Sequence, residues 1–194
     1  MAPRTQVERT EATRAALIAS TLALLDERGW AATTSVAVCE RAGVTRGALV
    51  HHFGGLPALL AEALDVHYGE LQASIDGVEL ASMSDLVDVA WRVVDRGRFK
   101  IVIEAWLAAA NDPELGAAIG PVVERFAKLV GPDERASLVP DAEARSLYLT
   151  VRETILGLAL GRATTGGPLG HEEIVLDRLR DLARTHDSRT GDPS

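Results

Sequence analysis

The stretch from residue 34 to 53, TSVAVCERAGVTRGALVHHF, constrains the fold of this chain more than any other. It predicts two short helices broken by a turn. Thr34 can cap the first helix, its hydroxyl oxygen accepting one of the backbone N–H groups that a helix start leaves orphaned. Val38, Cys39 and Ala42 then fall on one helical face. Gly43 follows, and glycine is the residue that enters a left-handed helix stop with least strain. Thr45 can cap a second helix that runs to about Phe53 and buries Ala48, Leu49 and either His52 or Phe53. Two helices joined by a short glycine-containing turn make a helix-turn-helix, whose second helix enters the DNA major groove. The outward positions there are Thr45, Arg46, Gly47, Val50 and His51. Arg46, on the first turn, carries a forked donor that matches the two acceptors on a guanine edge.

Helical periodicity continues on both sides of this unit. After a polar arm over residues 1–9, Leu17, Ile18, Thr21, Leu24 and Leu25 recur at helical spacing up to a stop at Gly29, where Trp30 can fold back on the last turn. Such a helix would cover the pair and complete a three-helix head over residues 10–55. Gly54-Gly55 breaks the chain. Pro57 then stands at the first position of a new helix, where its missing N–H is not needed, and that helix runs over about 57–75. Beyond Gly77 the sequence predicts helices over 84–95, 97–110, 113–130, 141–164 and 171–185, punctuated by proline and glycine, with no alternating strand pattern. The expected fold is all-α: a helix-turn-helix head, a helical body over 56–185, and a polar, disordered tail over 186–194.

These residues resemble the tetracycline-repressor-like (TetR) family of transcriptional regulators. The resemblance runs through Arg14-Ala15-Ala16-Leu17-Ile18, Leu24 to Trp30, Thr33-Thr34-Ser35, Ala42 to Gly47 and His51-His52-Phe53, and closes at Leu59-Leu60. It spans about a quarter of the chain, in order and at family-like spacing. Three departures stand out. Val50 occupies a position where the family usually has tyrosine, Leu56 one where it has lysine, and Val36 one that is often polar or basic. The tyrosine and lysine normally hold the DNA backbone, so their replacement should weaken binding and flatten its salt dependence.

The resemblance implies a homodimeric regulator, released from an inverted-repeat operator on double-stranded DNA by a small-molecule effector. It implies DNA-binding roles for Thr34, Ser35, Thr45, Arg46, Gly47 and His51. Trp91, Phe99, Trp106 and Phe126 would be candidates to line an effector cavity, with Arg152 available to a polar ligand group. The family also pairs its last two helices with their symmetry mates. Here those helices carry stripes of Leu147, Val151, Ile155 and Leu158, and of Val175, Leu179 and Leu182. Periodicity alone explains the stripes equally well as monomer core. A helical adaptor that kept the fold and lost strong DNA affinity is the alternative reading.

Composition sets the outer limits. The 194 residues carry a net charge of −8, which excludes a non-specific nucleic-acid binder. Residues 1–55 hold six arginines and five acids, a net +1, which leaves −9 on the remainder. An acidic body on a near-neutral head suits a protein that touches DNA with its head alone. Cys39 is the single cysteine, so neither a disulfide within the chain nor a cysteine metal cluster can form. His51 and His52 are adjacent and diverge by about 100° on a helix, so they do not share a metal. There is no GxSxG elbow, P-loop, GxGxxG after a strand, or HExxH pair, and neither an enzyme nor a cofactor is expected. Residues 1–10 lack the apolar segment of a signal peptide, and no run approaches bilayer length, so a cytoplasmic protein without membrane partners is expected.

Overall fold

The computed structural model describes residues 5–75, 78, 80–95, 99–129, 131–135 and 137–190. Among the described residues every regular element is helical, as expected. In chain order these are α1 (Gln6–Arg28), α2 (Ser35–Ala42), α3 (Arg46–Phe53), α4 (Leu56–Ala73), α5 (Met83–Asp95), α6 (Phe99–Asn111), α7 (Pro113–Leu129), α8 (Ala142–Thr165) and α9 (Glu172–Thr190). Short 3-10 turns lie at Trp30–Ala32 and Pro132–Arg135. No helix is long and apolar enough to cross a membrane among the described residues.

The helices gather into two compact units. The first joins the chain up to Glu70 with Glu104–Arg125, and the second joins Leu71–Ile103 with the chain from Phe126 onward. The division falls inside α4, α6 and α7, not at the head–body boundary between residues 55 and 56 that the sequence suggests. Gly54-Gly55 redirects the chain without separating its packing, because Leu59 at the start of α4 belongs to the core of the head.

In the first unit α1 begins earlier than the polar arm implies. The Thr5 hydroxyl accepts from the Glu8 N–H at 3.2 Å, and the Glu8 carboxylate accepts from the Thr5 N–H at 2.6 Å. This reciprocal capping box fixes the helix start well ahead of the apolar stripe that begins at Leu17. The head then closes on Leu17, Leu24, Val38, Cys39, Leu49, Phe53 and Leu59, with Ile18, Ala37, Ala42, Val44 and Leu56 packed around them. Burial pushes the Cys39 thiol pKa up, as suits a small core residue. At the far end of α1, Gly29 has φ 77°, and a Cβ there would lie 3.1 Å from the Glu104 carboxylate. That carboxylate accepts the Trp30 N–H at 2.9 Å and so ties α6 to the start of the 3-10 turn.

The second unit packs α5, α8 and α9 against one another. Val151, Ile155, Leu158 and Leu179, which the sequence offers equally as core or as dimer seam, are each at most 6% exposed within the single chain. Leu147 and Val175 are half-buried, and Leu182 remains on the surface. Helical periodicity finds an apolar face but not the chain that covers it. The corner between α8 and α9 is polar. Arg162 meets both oxygens of Glu172 at 2.6 Å, its guanidinium lies 4.5 Å from the centre of the Trp91 ring, and Glu172 also accepts the Leu169 N–H at 2.8 Å. The bond from Arg162 holds the Glu172 carboxyl below the usual carboxylate range.

The tail expected to be disordered from residue 186 is instead the last turn of α9, up to Thr190; residues 191–194 lie outside the described residues. His186 is buried. Asp187 accepts the N–H of Met83 at 2.9 Å, the N–H of Ser84 at 3.1 Å and the Ser84 hydroxyl at 2.6 Å. It thereby satisfies two of the orphan donors at the start of α5. A polar composition suggested a loose end, yet its polar groups complete another helix. Asp187→Ala is expected to lower the unfolding free energy by about 1 kcal/mol, the usual worth of a capping side chain. Urea denaturation followed by circular dichroism measures this, and an unchanged midpoint would show that the last turn of α9 does not hold α5.

Candidate nucleic-acid interface

The helix-turn-helix forms where the sequence places it because both ends of each short helix are capped. The Thr34 hydroxyl accepts the Ala37 N–H at 3.2 Å, and Gly43 ends α2 in the left-handed conformation at φ 67°. Thr45 repeats the device for α3 by accepting the Ala48 N–H at 3.2 Å, and Gly54 closes that helix at φ 81°. Leu49 and Phe53 then pin α3 to the core, which settles the choice between His52 and Phe53. His52 and Ala48 are half-buried.

Pinning one face exposes the other. Thr45, Arg46, Gly47, Val50 and His51 are all exposed, as is Thr34, while Ser35 at the start of α2 is half-buried. Arg46 makes no hydrogen bond or ion pair among the described residues, so its donor fork is available to an external partner. The Thr34 and Thr45 oxygens accept helix N–H groups, which leaves each hydroxyl hydrogen able to donate outward. Gly47 has open space around it, since a Cβ would meet only the Thr45 hydroxyl at 3.7 Å.

Two other arginines of the head have internal tasks that the sequence does not reveal. Arg14 donates to the His52 carbonyl at 2.8 Å, pairs with Glu62, and lies 4.5 Å from the centre of the Phe53 ring. A cation at the last carbonyls of α3 is electrostatically favoured, and here it also links α1, α3 and α4. Arg41 forms a two-pronged pair with Glu27, both contacts at 2.6 Å, on the exposed surface. The Arg14 partners lie 38 and 48 residues away, and no spacing rule in one sequence announces them. Leu56 packs against the core of the head and does not reach outward as a lysine would. Val36 and Val50 are both exposed.

The residues suggested for an effector site are divided between the two units. Trp106 belongs to the first unit, where its indole N–H donates to the Tyr68 hydroxyl at 3.2 Å; burial pushes the Tyr68 pKa up to about 12. Trp91, Phe99, Phe126 and Arg152 belong to the second. There Phe99 and Phe126 are buried, Trp91 stacks on Arg162, and Arg152 pairs with its neighbour Glu153 at 2.5 Å. The second unit also has a shallow, open depression lined by Ser74, Ile75, Val78, Val89, Arg92 and Val93.

Comparison with known proteins gives this geometry a context. The family model of bacterial regulatory proteins of the tetR family matches residues 17–63. The transcriptional regulator BetI of Burkholderia thailandensis is 30% identical over 169 residues, which cover 81% of this chain and 85% of that protein. The chain belongs to the TetR family. A second relative, the transcriptional regulator CymR of Pseudomonas putida, is 33% identical over 129 residues, and the match spans 63% of each chain. Among solved structures, the multidrug binding protein EbrR complexed with imidazole superposes with a TM-score of 0.60 at 25% identity, covering 86% of this chain and 93% of that one.

The regulator's exposed glycine yields a direct test of the interface. A glycine inside a helix is less stable than alanine by about 1 kcal/mol, and the space around Gly47 places no demand for it within the fold. Gly47→Ala is therefore expected to raise the melting temperature slightly while lowering affinity for DNA, because the added methyl stands where the helix backbone would approach the groove. Thermal melts and fluorescence anisotropy on the same preparation read both effects. Unchanged affinity would mean that this face does not lie close to DNA.

Proposed function

We propose that this regulator is a ligand-responsive repressor that binds an inverted-repeat operator as a homodimer and leaves it when a small molecule occupies its body. The observation that carries the DNA half of this reading is the unengaged Arg46 on the outer face of α3, flanked by Thr45, Gly47 and His51. Thr34 and Ser35, at the start of α2, supply hydroxyl groups suited to the flanking phosphates. Such a protein acts where the DNA is, in the cytoplasm.

Dimerisation is supported by apolar groups that the chain itself leaves uncovered on its last two helices. Ile174 is 73% exposed, and Leu160 and Leu182 are also on the surface, with Leu147 and Val175 partly covered beside them. These replace the buried Val151, Ile155, Leu158 and Leu179 as the positions that meet a second copy. Two tethered heads then multiply a weak single-head affinity through effective concentration.

The effector half draws on EbrR, a multidrug binding protein solved with a bound small molecule. The route by which an effector reaches the head runs through Glu104. Its carboxylate joins α6 to the Trp30 N–H, at the foot of the helix that packs on α2. A ligand that shifts α6 biases that bond, and by linkage DNA weakens the ligand as much as the ligand weakens DNA. Glu104→Ala is expected to leave DNA binding and effector binding each measurable while reducing the factor by which one weakens the other. Titrating DNA at zero and saturating effector gives that factor. An unchanged factor would remove Glu104 from the route.

A helical adaptor with weakened DNA binding is the second reading, favoured by Leu56 packing into the core and by valine at positions 36 and 50. Selection of bound sequences from random duplexes separates the two. A repressor enriches a palindrome, and Arg46→Ala then costs about 1–3 kcal/mol at one guanine and little at other positions. Recovery of unselected DNA, or an Arg46→Ala variant that binds every sequence as before, would favour the adaptor.

A further inference from the structure

The outer face of α3 carries one group that neither a phosphate nor a polar base edge can explain. Val50 is 57% exposed, although its neighbours on that face are a cation, a hydroxyl, an imidazole and a bare glycine. A β-branched side chain on an exposed helix surface lowers helix stability slightly and gains nothing from burial. In the major groove the guanine, adenine and cytosine edges present polar donors and acceptors, and the C5 methyl of thymine is the apolar group that a valine complements.

The position of Val50 on the helix makes such a contact reachable. It follows Arg46 by four residues, so the two side chains lie one above the other on the same face, about 6 Å apart along the axis. That is less than two base-pair steps. A valine is short, however, and touches the groove floor only if the helix backbone comes close. Gly47 precedes Val50 by three residues on the same face, and it carries no side chain where the fold has space for one. The face is thereby thinned beside the residue with the shortest reach.

We infer that Val50 is a base-reading residue whose methyl groups pack on the C5 methyl of a thymine, within two base pairs of the guanine held by Arg46. The inference rests on the reading that α3 lies in the major groove. It exchanges a contact with the DNA backbone, which adds affinity for any sequence, for a contact that adds affinity for one base.

The test replaces thymine by deoxyuridine, which removes the methyl group and nothing else. The full-length regulator first selects an operator from random duplexes, and each thymine of that operator is then replaced in turn. At one thymine per half-site the wild-type protein is expected to bind about fourfold more weakly, the worth of one buried methyl group, and about sixteenfold more weakly with both half-sites replaced. Val50→Ala should bind the thymine and deoxyuridine operators alike at that position while retaining its preference for the Arg46 guanine. Because Val50 is exposed and alanine is the better helix former, a melting temperature of the variant no lower than that of the wild type certifies that the comparison is between folded proteins. Equal losses for wild type and Val50→Ala, or a wild type indifferent to every deoxyuridine, would overturn the role of Val50 and leave the groove-bound helix standing. If no operator is selected, or if Arg46→Ala retains the guanine preference, the groove reading fails and the Val50 contact falls with it.

Discussion

The packing of Leu49 and Phe53 into the core of the head is the interaction on which the rest of the interface depends. A helix of eight residues is far below the length that holds together in water on its own. Burying these two side chains, each worth about 1.5–3 kcal/mol, supplies what local propensity lacks. It also sets the rotation of α3 about its axis. With two residues four apart facing inward, Arg46, Gly47, Val50 and His51 are turned outward, and Arg46 is presented without a hydrogen bond or ion pair among the described residues. The caps at Thr45 and Gly54 fix where the helix starts and stops, so orientation and length are both determined before DNA is met.

In the second unit polar groups do the fixing. Asp187 reaches from the end of α9 to the first N–H groups of α5, and the corner of Arg162, Glu172 and Trp91 sets the turn between α8 and α9. Each joins segments remote in sequence, with directional bonds where apolar packing would permit sliding. Directional ties of this kind are one physical means by which a change at one helix can be passed to another.

Most of the head is legible in the sequence because its signals are local. Thr34, Gly43, Thr45 and Gly54 each stand within four residues of the backbone groups they serve, and Leu17, Leu24, Val38 and Leu49 declare themselves by spacing. The tasks of Arg14 and Glu104 are not legible, since their partners are fixed by tertiary packing across tens of residues. The two stripes of α8 and α9 show a different limit. Ile155 and Leu179 repeat as an interface would, but periodicity is the same whether a helix is covered by its own chain or by another. Asp187 was hidden by composition: it sits among polar residues, and polarity near a terminus looks like solvation until the donors it serves are known.

The internal pairing of Arg14 and Arg41 has a kinetic consequence. Sliding and hopping along non-target DNA depend on mobile contacts between cations and phosphates, and a head that engages two of its six arginines and packs Leu56 against its core has fewer such contacts to offer. Such a head is expected to release random sequence sooner than one with all of its arginines unengaged, and so to depend more on repeated three-dimensional encounters. Fewer copies would then be sequestered on non-target DNA, and occupancy of the target would follow total concentration more closely.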